Sequence, residues 1–453
     1  MQSKTYTQDF TKGSVSKQLL VFSAPLFLSN LLQIVYNMVD MIIVGQVEGK
    51  VGLSAVSIGG DVSHFLTFLA MGFGNAGQVI ISQYLGAGQK EKISEFIRTM
   101  FTFLFGCAIV LSALCLVFRE PVLHIMNTPA ESFSQTLDYA TVSAIGLIFV
   151  YGYNLCSATL RGLGDSRHPF VFISLAAILN VILDIVFVFG LHMGAMGAAI
   201  ATIISQGISF IACLIFLVRN QESFGLSISI THFFGINKEM LSALIRLGIP
   251  MAIKSASIMI SKLFVNSYIN SYGIAVSAMA GIANKFSSIS NLVSNAVNTA
   301  GSSMVGQNIG AKKYERVPKI CFTAFAFTCT IATFMACMLL LFPEAIFRFF
   351  TQEADVLSIA MEYIPIAILL FYGSSLRAAM NALINGSGNH KINFATAILD
   401  GIILRIGLSL LFGKYLSLGY LGFWLGDALA GFTPFFIGLV YYFTGKWKKS
   451  SVV

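Results

Sequence analysis

Two carboxylates interrupt stretches of sequence that are otherwise almost wholly apolar. Asp40 lies toward the outer end of an apolar block that opens near Leu19, and Asn37, three residues earlier, shares its side of a helix. Asp184 stands four residues after Asn180 in another block, so these two also share a face. Asn154 and Thr202 add uncharged oxygens from two further blocks. Acids are costly inside a bilayer, so each is a functional candidate. Two carboxylates with amide and hydroxyl oxygens would hold a proton, or a Na+ ion at Asp40, Asn180, Asp184 and Thr202. Close carboxylates resist ionising together, so one can carry a proton near neutral pH. The plainer alternative is that both acids only cap or hydrogen-bond neighbouring helices.

The second half carries cations instead: Lys254, Lys262, Lys285, Arg377 and Arg405, with Asp400 and Asp427 as available partners. Asp400 and Arg405 are five residues apart, a poor pairing distance on an α-helix. Either these cations pair with acids or snorkel to the interface, or they line a basic chamber. In the second case Lys254 and Arg377, with Asn37 and His64 from the first half, are the candidate substrate contacts. His64, near Asp61, reads equally as an interior histidine or a group that titrates near neutral pH. Asp138 and Glu362 are expected to open helices at equivalent places and to favour their N-termini electrostatically. Pro25 and Pro250 fall inside apolar blocks, where each removes a helical hydrogen bond, and both are candidate hinges. The seven cysteines include no CxxC pair, so the sequence suggests neither a zinc site nor a disulfide framework.

The elements that position these groups follow from composition. Of 453 residues, 56% are hydrophobic and 11% charged. A soluble domain needs about 25% charged residues, so the solvent for most of this chain is lipid. Blocks near 20 residues match bilayer hydrocarbon and predict helices at 19–44, 52–80, 94–117, 136–160, 168–190 and 194–217. A second set follows at 241–269, 276–304, 318–341, 358–384, 391–413 and 418–443. The fold class expected is an all-α polytopic membrane protein of about twelve transmembrane helices. The N-terminal segment Met1–Lys17 is polar and no cleavage site follows it, so the first helix is expected to remain in the mature protein.

The two sets repeat. An offset of 224 pairs Ala76, Gly77, Gln83, Gly86, Ala87 and Glu91 with Ala300, Gly301, Gln307, Gly310, Ala311 and Glu315. It also pairs Arg161-Gly162-Leu163-Gly164 with Asn385-Gly386-Ser387-Gly388, while Pro25/Pro250, Gly194/Gly419 and Gly197/Gly422 stand at 225. This predicts an N-lobe at 1–218, a cytoplasmic linker at 219–240 and a C-lobe at 241–453, related by a pseudo-two-fold along the membrane normal. Parallel repeats of this kind place a substrate path between the lobes. With cytoplasmic N- and C-termini, Lys4, Lys12, Lys17, Lys90, Lys92, Arg98, Lys312, Lys313, Arg316 and Lys446 all fall inside, and only Lys50, Arg119, Arg348 and Lys414 outside. The net charge of +8 is therefore read as topology under the positive-inside rule, with no nucleic-acid partner.

Nearly the whole chain resembles the multidrug and toxic compound extrusion (MATE) transporters. The resemblance rests on Pro25 followed by Tyr36-Asn37-Met38-Val39-Asp40, on Ser82-Gln83-Tyr84-Leu85-Gly86-Ala87-Gly88 and on Leu160-Arg161-Gly162-Leu163-Gly164-Asp165. Asn180-Val181-Ile182-Leu183-Asp184 and Gly194-Ala195-Met196-Gly197-Ala198-Ala199 complete it. It implies two six-helix lobes and export of drugs or other small organic compounds across the cytoplasmic membrane, driven by inward H+ or Na+ through rocker-switch alternating access. The chain resembles the DinF-like branch, in which Asp40, Asn154, Asn180, Asp184 and Thr202 match an N-lobe cation site. Members coupled through the C-lobe carry acids where this chain has Ile258 and Ser374. The expected partners are organic substrates, the coupling ion and membrane lipid, with the chain acting as a monomer and using no cofactor.

The main alternative is a flippase or exporter of lipid-linked precursors or anionic metabolites, whose related fold commonly uses a basic cavity. Its two further helices are missing here. No HExxH, GxSxG or Walker pattern occurs, which argues against an enzyme and against ATP-driven export by this chain alone.

Overall fold

The computed structural model describes residues 6–227, 234–450 and 452. Lys4 and part of the expected linker, 228–233, lie outside them. Almost all of the described chain is helical, and no strand occurs among the described residues. The long helices are α1 (Val15–Gly86), α2 (Lys90–Ile125), α3 (Ala130–Ile145), α4 (Leu147–Gly162), α5 (Arg167–Gly190) and α6 (Gly194–Arg219). They continue with α7 (Lys238–Asn270), α8 (Ile274–Gly310), α9 (Tyr314–Leu341), α10 (Ala354–Gly386), α11 (His390–Tyr415) and α12 (Gly419–Phe443).

Nine helices among the described residues are long and apolar enough to cross a membrane, and α3 with α4 makes a tenth, bent by 50°. A Cβ at Gly146, where that bend falls, would strike Ile203 of α6. The expected single helix 136–160 is therefore two. α1 is itself two helices joined at Gly49, whose φ of 60° and ψ of −145° interrupt the helical path. α8 is richer in Ser and Asn but matches its neighbours in length at 37 residues. About twelve membrane-length segments result, as the apolar blocks predict.

The chain divides into two compact units. One comprises Met1–Asp9 and Ala24–Gly248, the other Phe10–Ser23 and Ile249–Val453. The chain thus changes unit twice within a helix, close to Pro25 in α1 and to Pro250 in α7. In the first unit, Ile43, Val44, Val56, Tyr139, Val188 and Ala198 form one buried cluster. The described part of the connection after α6 packs on α2. There Ser227 N donates to Ser94 Oγ at 2.9 Å, Gly235 N to Thr102 Oγ1 at 2.9 Å and Asn237 Nδ2 to Glu95 Oε1 at 2.9 Å. In the second unit, α7, α8, α10 and α12 share a larger core around Met279, Phe286, Tyr363, Phe371, Phe423 and Trp424. Phe10–Ser23 is fastened to this unit by polar contacts. Phe10 N donates to Gln307 Oε1, Asn308 Nδ2 to the Phe10 carbonyl at 3.2 Å and Lys313 Nζ to the Thr11 carbonyl at 2.9 Å.

The duplication is visible in backbone detail. A Cβ at Gly162 would strike Gln78 O and Ile81, and one at Gly386 would strike Ser302 O and Val305, each 224 positions on. Positive φ recurs at Gly164 and Gly388 by the same offset, and at His192/Ser417 and Gly194/Gly419 by 225. α11 holds a π-helical turn at Leu399–Leu404 that α5 lacks, whereas its second π turn, Leu411–Tyr415, has a counterpart at Ile185–Gly190. A π turn accommodates one extra residue, and this one marks where the register passes from 224 to 225.

Asp138 and Glu362 correct the expectation drawn from them. They lie well inside α3 and α10, whose first turns hold Glu131 and Asp355 instead. The polar starts of both helices extend further toward the N-terminus than the apolar blocks indicate. Glu362 Oε2 accepts a hydrogen bond from Tyr420 Oη at 3.1 Å.

Candidate functional site

In the first unit, α1 supplies Asp40, α5 supplies Asn180 and Asp184, and α6 supplies Thr202. Asp40 is 5% exposed and Asp184 is fully buried. Asn180 Nδ2 donates to Thr202 Oγ1 at 3.4 Å. The two carboxyl groups are neighbours, and Thr202 is a further neighbour of Asp40. Tyr36 and Tyr139 border Asp40.

The oxygens left over define the chemistry. Asp40 Oδ1, Asn180 Oδ1 and both Oδ atoms of Asp184 are buried with no hydrogen-bond partner among the described residues. Two ionised carboxylates are acceptors only, so nothing donates between them until a proton arrives. Buried acceptors without donors are expensive; a proton would let one carboxyl group donate to the other, and a small cation could take several of these oxygens as ligands.

The remaining expected residues lie around or away from this cluster. Asn154, on α4, is half-buried and spends its Nδ2 on the Val150 carbonyl at 2.8 Å. Asn37 is exposed, as are Asp61 and His64 on the second limb of α1. Pro25 is half-buried and Pro250 buried, both within continuous helix.

In the second unit Arg405 is 2% exposed and holds both available acids. Nη2 donates to Asp400 Oδ1 at 2.9 Å, and Nη1 bonds Asp427 Oδ1. The five-residue spacing of Asp400 and Arg405, a poor one on an α-helix, is here a contact. Asp400 lies in the π turn Leu399–Leu404, where residues five apart, not four, come into line. Sequence spacing alone missed it, yet the shift of the repeat from 224 to 225 was the readable sign of an inserted residue.

Two of the other cations find neutral partners. Lys254 Nζ donates to Asn381 Oδ1 at 2.6 Å and Lys262 Nζ to Ser287 Oγ at 3.0 Å. Arg377 is half-buried and has no hydrogen-bond or ion-pair partner among the described residues. Lys285 is exposed. Ser374 is bonded to Ser290, and Ile258 offers no ligand. A cavity in this unit is lined by Lys262, Asn266, Asn284, Ser287, Tyr363 and Asp427, among others. Lys262 was not singled out beforehand as a substrate contact. The proline register of 225, which carries Asn37 onto Lys262, could have identified it.

Comparison with known proteins agrees with this architecture. The MatE family model matches twice, over residues 25–186 and 250–411, and the two matches begin at Pro25 and Pro250. The probable multidrug resistance protein YpnP of Bacillus subtilis is 30% identical over 441 residues, covering 97% of each chain. The probable multidrug resistance protein NorM of Thermotoga maritima is 24% identical, covering 99% of this chain and 97% of its own. Among solved structures, a MOP superfamily transporter from Pyrococcus furiosus superposes with a TM-score of 0.89 at 21% identity, covering 99% of both chains.

Proposed function

This chain belongs to the MATE family of membrane transporters and is not an enzyme, and from that premise we propose that it exports small organic compounds, drugs among them, across the cytoplasmic membrane. Inward H+ or Na+ drives export through Asp40, Asn180, Asp184 and Thr202, with Asn154 nearby, in the manner of the DinF-like branch. One observation carries this reading: four buried acceptor oxygens converge with no donor among the described residues. The two lobes alternate access with Pro25 and Pro250 as bending points, since each leaves a helical carbonyl without its donor. N- and C-termini face the cytoplasm, and the working unit is a monomer. The names of its relatives, two of them probable multidrug resistance proteins, support drugs as substrates.

The test is efflux of a cationic and an anionic dye, ethidium and 5-carboxyfluorescein, from cells deleted for their own pumps, with the H+ or the Na+ gradient collapsed separately. Export should stop with one of the two gradients. Asp40→Asn and Asp184→Asn, which keep side-chain volume but remove the titrating charge, should each abolish it at matched expression. Undiminished export in either variant would defeat the carboxylate mechanism.

A further inference from the structure

The duplication sets each position of the first unit against one of the second, and at the carboxylate site the chemistry is reversed. The register of 225 carries Asp40 onto Val265 and Asp184 onto Ser409, so both acids are gone. The same register carries Asn37 onto Lys262, Asn180 onto Arg405 and Thr202 onto Asp427, while 224 carries Tyr139 onto Tyr363. The neutral pair Asn180–Thr202, at 3.4 Å, becomes the ion pair Arg405–Asp427. Three of these positions, Lys262, Tyr363 and Asp427, line the cavity of the second unit, and Val265 is in its wall.

We propose that this cavity is an anion-binding site, the charge-inverted counterpart of the first unit's cation site, and that Lys262 takes the oxyanion of an organic substrate. The inference rests on the reading of the chain as an exporter of organic compounds, and it names their charge. Four cations, buried Arg405 and half-buried Lys254, Lys262 and Arg377, share this unit's membrane segments with two acids, Asp400 and Asp427, and Arg405 holds both acids. Asp427 lines the cavity with Lys262 and attracts it, but Asp427 is also bonded to Arg405, so its one negative charge is shared between two cations. Lys262 also feels Arg405, Arg377 and Asp400, and its hydrogen-bond partner is the neutral Ser287 hydroxyl.

A half-buried ammonium that shares the cavity's one carboxylate with a guanidinium is incompletely compensated for the cost of leaving water. A bound oxyanion offsets that cost by forming a charge-assisted hydrogen bond. Asn266, Asn284 and the Tyr363 hydroxyl supply further donors around it. An organic cation would meet Lys262, with Arg377 and Arg405 behind it, and only one carboxylate, already engaged.

The probes are 5-carboxyfluorescein and rhodamine 6G, which share a xanthene frame and differ in charge, with binding to the purified full chain followed by fluorescence polarisation. The wild-type protein should bind carboxyfluorescein more tightly. Lys262→Met should weaken that binding roughly tenfold or more, the range expected for losing a hydrogen bond to a charged group. Arg377→Met should weaken it less, acting through the field alone. Lys285→Gln, on the exposed side of α8, should leave it unchanged. Rhodamine 6G should bind Lys262→Met at least as well as wild type.

A wild-type preference for rhodamine 6G would overturn the proposal without any variant, and so would an unchanged preference in Lys262→Met. Lys262→Arg, which keeps the charge, should keep the sign of the preference, separating loss of charge from loss of fold. Binding in detergent needs no ion gradient. Anion binding with no gradient-driven export would therefore sink only the exporter reading, and export with a cation preference would sink only the anion site.

Discussion

Asn180 with Thr202 in the first unit and Arg405 with Asp427 in the second occupy equivalent places in a duplicated chain, but they answer opposite demands. The first unit keeps two carboxylates buried and leaves three of their four oxygens without a hydrogen-bond partner among the described residues, which suits the proposed exchange of a proton or cation. The second unit buries a guanidinium and ties it to two acids, Asp400 and Asp427, so its charges are paired although Asp400 Oδ2 and Arg405 Nε have no hydrogen-bond partner among the described residues. The difference is one of charge: the first unit's two acids have no cation beside them, whereas the second unit's acids are each paired with Arg405. The π turn of α11 is part of that pairing, because it supplies Asp400, which has no counterpart in α5.

That contrast can be attacked from its strongest side first. Arg405→Met leaves Asp400 fully buried and Asp427 nearly so, with no cation in contact, and should cost about 3–5 kcal/mol of stability. A fall in the thermal unfolding midpoint of the detergent-solubilised protein would register it, and an unchanged midpoint would mean that the network is not structural. Packing offers a second comparison. A Cβ at Gly426 would collide with the backbone of Leu408 and Ser409, whereas the equivalent position in the first unit is Ala201, buried and accommodated. Gly426→Ala should therefore destabilise by about 1–3 kcal/mol, read from the same unfolding curves. The smallest effect on the fold should come from Asp184→Asn. Its oxygens have no hydrogen-bond partner to lose, so stability should change by less than about 1 kcal/mol even where coupled export disappears. A large loss of stability would make Asp184 a structural acid, like those beside Arg405.

Much of this was legible in the sequence, for reasons that differ by residue. Asp40, Asn180, Asp184 and Thr202 stand out because apolar surroundings make any polar group conspicuous, and helical spacing puts Asn180 and Asp184 on one face. The helices follow from block length, and the repeat from a register that hardly drifts. What escaped depends on local backbone. The Asp400–Arg405 contact needs a π turn, which no hydrophobic pattern announces, and the break of α3 from α4 needs Gly146 pressed against Ile203. Asp138 and Glu362 look like helix starts because apolar blocks mark only the lipid-buried part of a helix, and both helices run on beyond it toward Glu131 and Asp355. Exposed Asn37 and His64 show that a polar residue in an apolar block is not thereby part of a cluster.

The early change of unit along α1 has a consequence for how the protein is made. Phe10–Ser23 packs with a unit whose main part begins at Ile249, so the surfaces that will cover Phe10, Leu19 and Phe22 are synthesised long after those residues leave the ribosome. The separation, Ser23 to Ile249, is 226 residues, and at about 5–20 residues per second it amounts to a delay of roughly 10–45 s. Over that interval the first unit can assemble, while three buried side chains of the N-terminal segment wait in the membrane or on a chaperone. A chain that stalled after α6 would leave that segment bare, giving a quality-control protease a marker of incomplete synthesis at the end of the protein made first.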